Sequence, residues 1–126
     1  MSVTAPFQLP NGQKFRNRIA KAAMTEGLAF KDGLPNAAHE NLYRRWADRG
    51  CGLLITGNVI IDRGHLERPG NVIVDGPLGS EGKAAWARWA AAATAGGTQA
   101  WVQISHAGRQ TQKSVNPHPR APSAVP

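Results

Sequence analysis

Gln99-Ala100-Trp101-Val102-Gln103-Ile104-Ser105-His106-Ala107-Gly108-Arg109 is the stretch that decides the fold. It reads as a buried strand that runs into a polar, glycine-containing loop. Gln103 sits inside the apolar run, where a primary amide is costly unless its hydrogen bonds are met. A partner for that amide is expected at the strand's carboxyl end. Two earlier strands, around Ala20–Met24 and Leu53–Gly57, end in the same way, with small or polar residues after an apolar run. Three strands that deliver polar groups to one rim describe a ligand site at the carboxyl ends of a parallel sheet.

Working outward, Phe7-Gln8-Leu9 and Lys14-Phe15-Arg16 flank Pro10-Asn11-Gly12-Gln13. Asn-Gly between short apolar segments predicts a hairpin over residues 7–16, because both positions tolerate positive φ. The first interior strand follows near residues 19–24. Asn36 is an N-cap, and a helix is expected from Ala37 to Arg49 with Ala38, Leu42, Trp46 and Tyr43 as its apolar stripe. The second strand, residues 53–60, is nearly continuous apolar sequence, as in a parallel strand covered on both faces. Gly57 interrupts it and marks a bulge or a close approach. A polar loop from Asp62 to Gly79 contains the short apolar segment Asn71–Val74. Ser80 is a candidate N-cap, and the alanine-dense stretch Lys83–Thr94 predicts a second helix with Trp86, Trp89, Ala90 and Ala93 on one face. The third strand spans residues 99–105. From His106 to Pro126 no periodicity remains, and four prolines deny regular structure.

The 126 residues carry a formal net charge of +7, but the arginines are dispersed and do not interleave with aromatics. Nucleic-acid binding is therefore not expected. No apolar run approaches the roughly 20 residues that span a bilayer, and no signal peptide is evident at Met1–Pro6. The single cysteine, Cys51, precedes a buried strand, is expected to be inert, and suggests a reducing, cytoplasmic compartment. His39, His65 and His118 show no metal-ligand spacing and are expected in solvent; no metal site is expected. The four tryptophans are expected in packing, and no dinucleotide-binding fingerprint occurs.

Hairpin, then βαβαβ, implies parallel pairing with right-handed crossovers. Three strands leave two open edges. A (β/α)8 barrel closes its sheet over about 250 residues. The expected fold class is therefore α/β: an N-terminal hairpin and the first three βα steps of a (β/α)8 TIM barrel. Residues 1–126 would form the N-terminal portion of one domain, with the remaining strands supplied by further sequence or by a second polypeptide. Alone, such a chain is expected to aggregate or to stay partly unfolded, and as a truncated fragment to oligomerise through its exposed strand edges.

Four motifs carry a resemblance: Leu9-Pro-Asn-Gly-Gln-Lys-Phe-Arg-Asn-Arg-Ile19, Ala22-Ala-Met-Thr25, Gly52-Leu-Leu-Ile-Thr-Gly57 and Gln103-Ile-Ser-His-Ala-Gly-Arg109. In this order and spacing they resemble the Old Yellow Enzyme family, FMN-dependent NAD(P)H:flavin oxidoreductases and ene-reductases on a (β/α)8 barrel. The resemblance implies that Ala23 and Met24 pack beside the isoalloxazine. It implies that Thr25 presents a hydroxyl or amide near flavin O4 and N5, that Gly57 lets backbone approach the ring, and that Gln103 pairs with the pyrimidine edge. Two departures stand out: Ala23 occupies a position where many members have proline, and Thr56 one where an acidic residue is usual. The family's substrate-binding histidine pair, proton-donating tyrosine and phosphate-binding loops match nothing here, so no catalytic residue is assigned. The implied activity is reduction of activated C=C bonds of α,β-unsaturated carbonyl-type compounds, with NAD(P)H as hydride donor. The alternative is a truncated, inactive barrel fragment without cofactor. His106 is expected at the rim with a structural hydrogen bond, and Arg109 either near the cofactor or in an ion pair.

Overall fold

A computed structural model describes residues 2–123. Strands β1 (Phe7–Gln8) and β2 (Lys14–Phe15) form the antiparallel hairpin, with Phe7 opposite Phe15. Its turn closes through Leu9 N–H to Gln13 O at 2.9 Å, and Gly12 takes φ 90°. The chain then enters β3 (Ala20–Lys21), helix α1 (Ala37–Asp48), β4 (Leu53–Ile60), β5 (Val72–Ile73), helix α2 (Ser80–Ala93) and β6 (Gln99–Ser105). Strand β4 is central. It pairs in parallel with β6 from Leu53 to Ile60, and on its other edge with β3 at Leu53–Leu54 and with β5 at Val59–Ile60.

Both helices pack on the same face of β4. Tyr43 and Ala47 of α1, Trp89 and Ala93 of α2, Leu54 and Val59 of β4, and Val72 of β5 form one buried cluster. A doubly wound sheet places helices on both faces; a barrel keeps them all outside. The opposite face meets the hairpin instead, where Phe7, Phe15, Ile19, Leu53 and Trp101 surround an apolar recess. Arg16 secures the hairpin beneath the wall. Its guanidinium donates to Cys51 O (3.1 Å), Gly96 O (2.8 Å), Ala47 O (2.5 Å) and Thr98 Oγ1 (2.7 Å). The Ala47 carbonyl, in the last turn of α1, also accepts from Gly50 N–H at 3.1 Å.

Several expectations need correction. The first strand, expected over 19–24, pairs only at Ala20–Lys21, because Ala22 onward leaves the ladder to cross the end of β4. The stripe of α1 is rotated by one residue: His39, Tyr43 and Ala47 are buried, while Ala38 is exposed. The cause is His39, which is fully buried rather than solvent-facing. Its Nδ1 accepts from Asn36 N–H at 3.2 Å, completing the capping box, and its ring lies edge-on to Trp89 at 5.3 Å. Burial pushes its pKa down, opposed by nearby Glu26. Helix α2 starts earlier than expected, with Ser80 inside it and Gly79 as an N-cap that makes no side-chain bond; Ala90 is exposed, and Ala92 shares the buried face instead. Residues 72–73, placed in the loop, form β5.

The largest correction concerns the opening stretch. Strand β6 is an exposed edge, with Trp101 41%, Val102 48% and Ile104 66% accessible. Apolar patterning reports what a strand is suited to pack against, and among the described residues nothing packs there. No helix among the described residues is long and apolar enough to cross a membrane.

Candidate flavin site

The bulge in β4 builds the site. Register runs Ile55 opposite Trp101, then Asn58 opposite Gln103, so Thr56 and Gly57 face a single residue of β6. Leu54 lies in the helix-side core and Thr56 lines a recess with Trp86, Trp89 and Val102 on that side. Val59 is again in the helix-side core. The phase therefore changes between 56 and 59, and Asn58 turns to the opposite face. A bulge re-aims a side chain in this way at the cost of ladder bonds. The orphaned donors are recovered: Gln103 N–H reaches Thr56 Oγ1 at 3.0 Å, and Gly57 N–H reaches Glu26 Oε1 at 3.1 Å.

Glu26 is the anchor behind the bulge. Its carboxylate also accepts a short hydrogen bond from Tyr43 Oη and lies 3.9 Å from Lys21 Nζ. Lys21 donates to Ile55 O at 2.6 Å and sits 4.6 Å over the Trp46 ring. Burial lowers the Lys21 pKa, partly offset by Glu26; burial and the Glu26 hydrogen bond raise that of Tyr43. By resemblance, an acidic residue is usual where Thr56 stands. The structure delivers a carboxylate to the bulge from the end of β3 instead.

Gly57 permits this crossing. A Cβ on Gly57 would collide with Met24 O and Glu26 Oε2 and lie 2.9 Å from Thr25 Cα. The close approach at Gly57 is thus made by the chain's own Met24–Glu26 segment, which lays Thr25 on the rim. Thr25, Asn58 and Gln103 then form a row: Gln103 Nε2 donates to Asn58 Oδ1 at 2.5 Å, and Asn58 Nδ2 donates to Thr25 Oγ1 at 3.2 Å. Of the five residues singled out in the sequence, Thr25 and Gln103 are joined through this row, and Gly57 supports it from behind. Ala23 is half-buried beside it, and Met24 extends into the open, 54% exposed. Asn58 escaped notice, although an amide in the apolar run Leu53–Ile61 is the same signal that Gln103 gave.

Farther along the rim, Asp62, His65 and His106 converge, with ligand atoms within 4.8 Å of one another. His65, expected in solvent, is buried at 4%. Its Nε2 accepts from Arg120 N–H at 2.9 Å, so its proton is on Nδ1, 2.9 Å from Asp62 Oδ2. A metal at Nδ1 would shift that proton to Nε2, against the Arg120 N–H. The three residues are built as a clasp that fastens the segment after β6. The Gly64 N–H, followed by His65 and His106, holds the Asp62 carboxyl below its usual range. His106 stacks on His65 at 4.6 Å, in line with the rim role expected of it. Arg109 and His118 are exposed.

A parallel wall with both described helices outside and polar side chains gathered at the strands' carboxyl ends defines a segment of a (β/α)8 barrel with a polar rim. The chain belongs to the NADH:flavin oxidoreductase / NADH oxidase family, whose model matches residues 2–126. It is 35% identical over 119 residues to the NADH-dependent flavin oxidoreductase iliE of Hypocrea jecorina, covering 94% of this chain and 30% of that protein. It is 34% identical over 125 residues to an NADH:fumarate oxidoreductase of Klebsiella pneumoniae, covering 98% and 13%. The Old Yellow Enzyme homologue of Zymomonas mobilis superposes with a TM-score of 0.82 at 27% identity, over 99% of this chain and 34% of that one. Morphinone reductase gives 0.82 at 25% identity, over 98% and 32%. The chain spans less than a third of the length of these two curated relatives.

Proposed function

We propose that this chain is the N-terminal portion of an FMN-dependent NAD(P)H oxidoreductase that reduces activated C=C bonds of α,β-unsaturated carbonyl-type compounds. The observation that carries this reading is the row Thr25–Asn58–Gln103, one polar side chain from the end of each of three adjacent parallel strands. It fits an edge on which donors and acceptors alternate, as on the pyrimidine side of a flavin. The group would supply hydride transfer, from NAD(P)H to the alkene β-carbon.

The residues of this chain bind and orient. Gln103 keeps its amide oxygen and one N–H for the ring edge. Ala23 leaves room beside the ring and Met24 covers it. Thr25 presents a hydroxyl where reduced flavin is anionic, which favours the reduced state. Gly57 acts through the Met24–Glu26 segment that it admits. Substrate-binding groups, proton donor and phosphate site belong to the remainder of the barrel. The family membership supports this assignment, as does NADH-linked flavin chemistry in the names of the relatives; a cytoplasmic location goes with it. Purified as the complete barrel, the protein should be yellow, with a flavin absorbance band. A colourless, stably folded barrel that ignores added FMN would refute the reading.

The exposed apolar edge of β6 favours a second reading for the 126-residue chain taken alone, an inactive fragment that holds no cofactor and self-associates. Size-exclusion chromatography and circular dichroism separate the two: a compact, cooperative monomer would contradict the fragment reading.

A further inference from the structure

The edge of β4 that faces β3 and β5 is interrupted. Strand β3 pairs with it only at Leu53–Leu54, and β5 only at Val59–Ile60. Among the described residues no strand lies beside residues 55–58 on that edge, and the interruption coincides with the bulge against β6. Two side chains stand in for the missing strand. Lys21 Nζ donates to Ile55 O at 2.6 Å, and Glu26 Oε1 accepts from Gly57 N–H at 3.1 Å. A carbonyl meets a cation and an N–H meets an anion, so each charge has the sign its backbone partner needs.

The two side chains are 6% and 7% exposed, with Nζ and Oε1 3.9 Å apart. A buried charge without a partner is strongly destabilising, and well-packed apolar residues in place of such a pair are often neutral or better. Apolar residues here would leave Ile55 O and Gly57 N–H unsatisfied. Helix α1 holds the pair from the other side. The Tyr43 hydroxyl donates to Glu26 Oε1, and its oxygen lies 3.3 Å from the Gly57 nitrogen as a second acceptor. Lys21 sits over the rings of Tyr43 and Trp46, at 5.4 and 4.6 Å.

Side chains alternate along a strand. With Leu54 and Thr56 on the helix side, an unbulged β4 would send Asn58 there too. The bulge instead brings Asn58 to Gln103, whose Nε2 donates to Asn58 Oδ1 at 2.5 Å.

We propose that Lys21 and Glu26 are positioning residues of the rim: by occupying the gap in β4, they hold the bulge that brings Asn58 to Gln103. The consequence for ligand binding rests on the flavin reading above. At position 26 the group that sets the bulge is the acceptor for Gly57 N–H; its charge serves to offset that of Lys21.

The test uses the complete barrel, with and without FMN. Glu26→Ala removes the acceptor, and Glu26→Gln keeps an oxygen in its place. In Glu26→Ala without FMN, exchange of the Gly57 amide hydrogen should accelerate, and the side-chain amide resonances of Asn58 and Gln103 should move. Its FMN dissociation constant should rise about fivefold, as for the loss of one hydrogen bond in the row. Glu26→Gln should keep the wild-type constant and the wild-type resonances of Asn58 and Gln103, while losing stability in urea because Lys21 loses its counter-charge. If Glu26→Ala does not fold, Glu26→Gln and Glu26→Ala are compared in the Lys21→Met background. Neither then leaves a buried charge unpaired, and the same contrast is expected.

Unmoved resonances in Glu26→Ala would overturn the proposal. So would a Glu26→Gln variant as altered as Glu26→Ala, since the two residues would then act only as a buried ion pair. A wild-type barrel that binds no FMN would refute the cofactor assignment alone; amide exchange and the resonances of the FMN-free protein still decide whether the pair holds the bulge.

Discussion

The two faces of β4 are finished to different degrees. On the helix side, Tyr43, Leu54 and Val59 are fully buried against Trp89 and Ala93. On the other side, Leu53 and Ile55 are only partly covered, and Trp101 of the neighbouring β6 is exposed. Over β4 the helix face is closed by contacts within this chain, while along β6 Val102 and Ile104 on that same side stay open; the other face is closed only at its lower end, by the hairpin. Stability and ligand binding are thereby separated. One face holds the wall together, and the other presents the row Thr25–Asn58–Gln103.

That contrast can be broken by paired truncations. Leu54→Ala should cost the complete protein about 2–5 kcal/mol in urea denaturation, since it opens a cavity in the closed core. A cost near zero would mean that the helix face is not the stabilising one.

Just past the carboxyl ends of β4 and β6 lies the Asp62–His65–His106 clasp. The Asp62 pKa is lowered in the folded protein, so its contribution is present above the ordinary carboxylate pKa of 3.8 and is lost as pH falls through the folded value. Exchange of the Gly64 amide hydrogen, which donates to Asp62 at 2.8 Å, should accelerate over that acidic window relative to neighbouring amides. Asp62→Asn should remove this pH dependence. Unaltered exchange in the variant would sever the clasp from Asp62.

The smallest effect belongs to the open edge. Ile104→Ser should change the stability of the 126-residue chain by less than about 0.5 kcal/mol, while reducing its self-association in light scattering. A loss comparable to that of Leu54→Ala would erase the difference between the closed core over β4 and the open edge of β6.

Much of the wall was legible in the sequence because its signals are local. Asn36 caps α1, the hairpin forms around Asn11-Gly12, and Gly57 marks the bulge. What was missed depends on partners far along the chain. His39 looked polar, yet a cap bond and an aromatic neighbour allow it to be buried. His65 is buried because Arg120, 55 residues later, supplies its second hydrogen bond. Asn58 and Thr56 exchange faces only because the register shifts, and no periodicity announces on which side of Gly57 the shift falls. Gln103 was correctly singled out as an amide in need of partners. One of those partners is Asn58, and its remaining hydrogen-bonding capacity is what the proposed ring edge would take.

The central claim is that this remaining capacity binds flavin. FMN titration of the complete barrel, followed by flavin fluorescence, tests it directly when wild type is compared with Gln103→Ala. Loss of one or two hydrogen bonds, about 1–2 kcal/mol, should raise the dissociation constant roughly 5- to 30-fold. Equal affinity in the two proteins would contradict the account.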